Sequence, residues 1–438
     1  MPESRHSVLM NAFRPAQSVS EPEFFAGRAK QVAELTDALH VIGSTPLIYG
    51  DRGLGKTSLA IQMRYIAEGA VALLDALNIQ DRAFNQTERY IPFFVTCMDS
   101  TQNFDGLVQQ LINAAEETDF TQTAPDYKAK HLAERTTSLS LSLKFLQRQS
   151  TRRFVPEKAR PSYREFSPTE KLQYLTGLIV ETFHRPVLFI IDEVDRLQDT
   201  QGLAGFIKAT SSDWVKFILV GIASSIGNLL ADHQSIARSL VPVRVPLMDE
   251  RELGQIIENA QEYLDQHDVG ITFSYSAKRG IVGSAAGFPW LVHVIGQSAL
   301  LKARETGRAQ VLGIDALDAQ YELPKSRFAQ QFSDVYSRIV RDSPQRETVL
   351  RAFANWFSDD IPTSEVYRVL RSRLEVTNPS PYKAQLTNAE FGGVIYTPPG
   401  RHRGEVRFAD PMFKVYIRLT PSIYEGVDSK VRSAFQTP

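Results

Sequence analysis

Two spacings of apolar residues alternate along the chain. Short, mostly apolar runs recur at 46–49, 91–96, 186–191, 216–221 and 241–245. Such runs predict strands covered on both faces, as in a parallel sheet. Between them apolar residues return every three or four positions: Val32, Leu35 and Leu39; Leu59, Met63 and Ile66; Phe104, Leu107, Leu111 and Ile112. That spacing predicts helices with one buried face. The alternation gives an α/β core over residues 24–247, preceded by a polar, loop-like segment, 1–23.

From Met248 the pattern turns helical. Leu253, Ile256, Ile257, Ala260 and Leu264 form one stripe, which is core packing. Pro289 opens a further helix at a position that tolerates it. These helices are expected to form a lid over 248–325. Helices at 346–353 and 363–374 and a short one at 382–388 precede strands at 394–397 and 405–409. Helices followed by a hairpin predict a winged-helix domain over 326–420, with a tail at 421–438. Its hairpin tip carries Arg401, His402 and Arg403. Residues 120–165 break the pattern: they are rich in Thr, Ser, Arg and Lys, and only 138–145 alternates strictly. They predict an insertion in the core, either a hairpin-bearing arm or a surface loop.

At 438 residues the chain needs more than one core. A formal net charge of −1 gives no global attraction to nucleic acid, so any such contact must be local. The single cysteine, Cys97, excludes an internal disulfide framework and fits a reducing cytoplasm. It reads as a small buried apolar residue. No run approaches the roughly 18 apolar residues of a membrane span, so no membrane partner is expected.

The chemistry concentrates in two stretches. Gly50, Gly55, Lys56 and Thr57 meet the spacing G-x-x-x-x-G-K-[ST] after a strand and before a helix. Glycines there expose backbone N–H groups, and the helix start adds positive potential for an anion. Arg52, Gly53, Leu54 and Ser58 complete the turn. Lys56 supplies a point charge to the β- and γ-phosphates of ATP, and the Thr57 hydroxyl is placed to ligate Mg²⁺. The run at 186–191 ends in Asp192 and Glu193. Asp192 would hold Mg²⁺, largely through waters, and Glu193 would orient and deprotonate the attacking water. No second catalytic constellation is legible.

Phe25-Ala26-Gly27-Arg28, just ahead of this P-loop, resembles the F-x-G-R segment that opens AAA+ and STAND ATPases. The resemblance implies a segment over the adenine, with Gly27 and Arg28 near the base. It implies a polar sensor after the strand at 216–221, matched by Ser224 or Ser225, and an arginine finger before the last core strand, matched by Arg238. The alternative for Arg238 is a surface salt bridge. Initiator-type relatives carry a sensor arginine at the start of the helix opened by Pro289; this chain has none between Val282 and Lys302. Gly287-Phe288-Pro289 resembles instead the G-x-P motif of STAND ATPases, where the proline packs near the nucleotide. The function this implies is an ATP-binding and hydrolysing switch, a homo-oligomer through Arg238, that signals to a separate partner protein. The alternative is a DNA-binding initiator or loader ATPase acting through the winged helix.

Overall fold

The computed structural model describes residues 4–101, 103–117, 166–222, 234–325, 327–356, 358, 360–398 and 404–436. The alternating strand expected at 138–145, both candidate sensor serines and the basic tip at Arg401, His402 and Arg403 lie outside the described residues.

Five parallel strands form the central sheet: β1 (Thr45–Tyr49), β2 (Ile91–Thr96), β3 (Val187–Asp192), β4 (Val215–Gly221) and β5 (Leu240–Arg244). Their order is β2-β3-β4-β1-β5. The P-loop strand therefore lies between β4 and β5, and the strand bearing Asp192 is one place further along. Tyr49 pairs with both Gly221 and Arg244, and Thr96 with Asp192. The carboxyl ends thus share one rim, where open α/β sheets bind ligands.

The apolar runs of β3 and β4 are explained by two covers. Leu188 and Ile190 of β3 and Ile218 and Val220 of β4 face a core shared with Leu35, Leu39, Leu59 and Met63. These come from the helices Ala29–His40 and Lys56–Glu68. Phe189 and Ile191 face the other way, toward Leu107, Leu111, Leu175 and Ile207. Those belong to the helices Phe104–Glu116, Pro168–Phe183 and Leu203–Thr210. The Phe189 ring stacks between Phe93 and Phe217, with centroids 5.5 Å away on each side.

After β5 come four helices, Glu250–Gln266, Tyr275–Ala285, Pro289–Glu305 and Gly313–Glu322. A two-residue parallel pair, β6 (Thr272–Phe273) with β7 (Gln310–Val311), ties them. The first helix is set by a capping box between Asp249 and Glu252, which satisfies two of its orphan N–H groups.

The last group opens with helices Arg327–Val340 and Pro344–Ala354. Then follow β8 (Ile361–Pro362), helices Thr363–Arg373 and Ser380–Thr387, and strands β9 (Ile395–Tyr396) and β10 (Glu405–Phe408). The three strands pair antiparallel in the order β8-β10-β9. Helix Pro411–Leu419 closes against them. The expected tail is not a tail: Val427–Gln436 is a helix held by a buried charge. Arg351, fully buried, contacts Glu347 at 2.7 Å, Asp428 at 2.7 Å and the carbonyls of Ile417 and Thr420 at 2.9 Å each. Breaking such a network leaves an uncompensated interior charge, which is strongly destabilising. Among the described residues no helix is long and apolar enough to cross a membrane.

Candidate functional site

The rim of the sheet opens into a cavity of about 510 Å³. Its floor is the P-loop. Gly53 and Gly55 sit at φ of +78° and +84°, left-handed values that a side chain disfavours. Helix Lys56–Glu68 begins at once, so its free N–H groups face the cavity. Lys56 donates to the Asp51 carbonyl at 2.9 Å. Burial lowers its pKa, opposed by the carboxylates of Asp195, Asp192 and Asp51. A buried ammonium at the start of this helix fits a site for phosphate.

Thr57 Oγ1 donates to Asp192 Oδ2 at 2.8 Å. The Glu193 N–H donates to the other carboxylate oxygen, also at 2.8 Å. Burial raises the Asp192 pKa against both of those hydrogen bonds. The two oxygens proposed to ligand Mg²⁺ therefore converge on one point, and both belong to hard oxygen donors that suit it. Bound there, the ion would neutralise charge on the phosphates; the rest of the divalent shell would come from phosphate and water.

Glu193 occupies a left-handed backbone, φ 55°, rare for a side-chain-bearing residue. Its carboxylate pairs with Arg196, which also holds Asp99 at 2.7 Å. The candidate base thus lines the cavity while turned toward Arg196. Asp195 accepts from the Ile222 N–H at 3.2 Å, tying the end of β3 to the end of β4.

The walls hold residues that sequence patterning passed over. Residues 1–23 are not simply loop: Arg5–Asn11 is a helix docked beside Pro289–Glu305. Phe13 is buried, its ring facing His293 and Phe273 edge-on. A Cβ at Gly296 would stand 2.5 Å from that ring, so a glycine there gives Phe13 its seat. Residues 14–19 then run along the cavity as a strap. The Arg14 N–H donates to His293 Nδ1 at 3.2 Å, Trp290 Nε1 to the Pro15 carbonyl at 2.9 Å, and the Val19 N–H to Ser58 Oγ at 3.0 Å. The Arg14 guanidinium lies 4.0 Å from the centre of the Phe24 ring. Only the apolar pair Val8 and Leu9 and the buried Phe13 could have signalled this docking.

Of the sequence-derived candidates, Arg52, Gly53, Leu54, Gly55, Lys56, Thr57, Ser58, Asp192, Glu193, Pro289 and Arg28 line the cavity together. Pro289 approaches the P-loop: a Cβ on Gly55 would stand 3.9 Å from its Cγ. Three others stand elsewhere. Gly50 serves the sheet, since a Cβ there would lie 2.6 Å from the Val245 carbonyl oxygen. Gly27 faces helix Glu250–Gln266, donating its N–H to Gln255 at 3.0 Å. Arg238 is exposed at the end of a 3₁₀ turn, beside Ser239, whose carbonyl accepts from the Thr45 N–H at 2.7 Å. That is the amino-terminal end of β1, the rim opposite the P-loop, and Arg238 does not line this cavity. Cys97 is buried beside Asp192, its thiol pushed up to about 12 by burial, and is therefore inert.

Residues 25–212 match the family model of an AAA ATPase domain. That span, less than half of the chain, holds the P-loop and the Asp192–Glu193 strand end. Among curated proteins none matches. Among solved structures, a Walker-type ATPase of Pyrococcus abyssi aligns at 18% identity and a TM-score of 0.48, covering 94% of this chain and 99% of that one. Cdc6p of Pyrobaculum aerophilum aligns at 12% identity and 0.42, covering 98% of each. The Aeropyrum pernix ORC1 protein, solved in complex with DNA, aligns at 14% and 0.41, covering 95% and 97%.

Proposed function

We propose that the chain is an ATP-binding and hydrolysing switch of the STAND/AAA+ kind, and that its output passes to a partner protein. One observation carries this reading: one cavity is walled by segments that lie far apart along the chain. The amino-terminal strap, the P-loop, the end of β3 and the start of helix Pro289–Glu305 all line it. The carboxy-terminal group reaches the same loop, since a Cβ at Gly53 would stand 3.2 Å from Met412 Sδ. A γ-phosphate arriving among these contacts has leverage on all of them, which is what a nucleotide-controlled two-state element needs. We read the helices after β5 as a lid, and the group from 326 to 420 as a winged helix. Arg238, far from its own cavity, is read as acting on a neighbouring copy, hence a homo-oligomer.

Hydrogen exchange compared in ATP and in ADP tests the switch. Protection around Pro411–Leu419 and at Phe288–Trp290 is expected to differ between the two nucleotides. Identical protection in both would reduce the protein to a simple nucleotide binder.

A second reading has its own support. The order helix, strand, two helices and two strands, with the strands in one antiparallel sheet, supports reading this group as a winged helix, and Arg368, Arg371 and Arg373 are exposed on it. Contact with a DNA backbone would follow, and a duplex titration would then show a steep negative slope of log K against log salt. A flat slope, or no binding, leaves the protein-partner reading alone.

A further inference from the structure

We propose that Arg28 is a positioning residue for the phosphate cradle: it pins the Leu54 carbonyl and so fixes the direction of the Gly55 N–H. The inference rests on the nucleotide-site reading above and gives Arg28 a role other than contact with the base.

The side chain is only 3% exposed. Both terminal nitrogens are engaged by backbone carbonyls, one by Pro246 O at 2.7 Å and the other by Leu54 O at 3.0 Å. Leu54 belongs to the P-loop, and Pro246 follows the last strand of the sheet. The Arg28 N–H completes the clamp by donating to Glu252 at 2.9 Å, the same carboxylate that caps helix Glu250–Gln266. A guanidinium fork with fixed geometry suits two carbonyls better than a flexible ammonium does.

The consequence follows from the peptide plane. The Leu54 carbonyl and the Gly55 N–H lie on opposite edges of one rigid trans unit. Holding the oxygen toward Arg28 turns the N–H the other way. Gly55, at φ +84°, has no Cβ to resist that orientation. The backbone carries a second sign. Gly27 and Arg28 are left-handed in succession, φ 63° and 65°. A side-chain-bearing residue holds such a conformation only when its surroundings impose it. Burial has driven the Arg28 pKa down to about 10, and the guanidinium remains charged at neutral pH.

The test measures binding on the full chain by calorimetry, with ADP, GDP and pyrophosphate as probes, for wild type, Arg28→Gln and Arg28→Lys. A lost hydrogen bond from a charged donor to a P-loop carbonyl corresponds to about tenfold or more in affinity. Arg28→Gln is therefore expected to weaken ADP, GDP and pyrophosphate by one common factor of about that size. Arg28→Lys should recover part of it, because an ammonium still donates to Leu54 O. Should Arg28→Gln fail to fold, Arg28→Lys carries the test, with a smaller loss common to all three probes. A loss confined to ADP, with pyrophosphate unchanged, overturns the proposal in favour of base contact; unchanged binding of every probe overturns it outright. Wild type that binds neither ADP nor pyrophosphate would instead sink the nucleotide-site reading itself.

Discussion

Acid is expected to lift the amino-terminal strap from the cavity, and His293 sets the size of the effect. This imidazole is almost fully buried in helix Pro289–Glu305 and accepts the Arg14 N–H on Nδ1. Burial first, and the nearby Arg14 guanidinium second, push its pKa from 6.5 down to about 4. A shift of that size corresponds to about 3 kcal/mol between the docked strap and a lifted one in which the ring is free. The sign is fixed by linkage. A group whose docked pKa is depressed contributes its full stability above the free value of 6.5, and loses it as pH falls through about 4. Within that window each pH unit lowers the cost of lifting by about 1.4 kcal/mol, roughly tenfold in opening. The assay is hydrogen exchange at residues 13–19, corrected for the intrinsic pH dependence of exchange, in wild type and His293→Gln. A histidine-ring NMR titration, assigned through the same variant, gives the midpoint directly. Wild type should lose protection below pH 6.5 at about tenfold per unit while the variant stays flat. A ring midpoint near 6.5, or parallel profiles for the two proteins, would refute the reasoning.

Glu193→Gln should retain ATP while turnover falls by about 10²–10⁴, the usual worth of a general base, as read in a phosphate-release assay. Turnover near the wild-type rate would remove Glu193 from the chemistry and leave it as the partner of Arg196. Arg238→Ala should bind ATP normally yet hydrolyse it poorly, because a finger supplied in trans is worth up to about 10³–10⁵ in phosphoryl transfer. Mixing it with Lys56→Ala under conditions of subunit exchange should restore activity; a mixture that stays dead, or specific activity that is flat on dilution of a proven monomer, would make Arg238 a surface residue only.

The parts of the site that were legible are those whose chemistry is local in sequence. Gly53 and Gly55 serve a single turn, and Asp192 ends, and Glu193 follows, a strand whose six residues are all buried. What escaped is set by contacts distant along the chain. Nothing near Pro46 tells that β1 inserts between β4 and β5. Pro15 and Trp290 meet through a hydrogen bond, though no periodic stretch holding one predicts the other. Arg28 shows why position in a motif falls short of role: the cavity lining contains it, but its terminal nitrogens end on Pro246 and Leu54. Gly50 matches the P-loop spacing while its lack of a side chain serves close approach to Val245. The closing helix Val427–Gln436 depends on Arg351 meeting Asp428, a pairing of two buried or half-buried charges that hydrophobic periodicity does not report.

The central claim is that the loop at Gly50–Thr57 holds a nucleoside triphosphate through Lys56, and equilibrium binding of ATP to wild type and Lys56→Ala tests it most directly. Lys56 lines the cavity beside Asp192 and Asp195, so removing it takes away the ammonium at the helix start and leaves those carboxylates less opposed where the phosphates would lie. Wild type should bind ATP saturably, and Lys56→Ala, still folded by thermal melting, should show no measurable binding. ATP bound equally tightly by both proteins would contradict the assignment of the site.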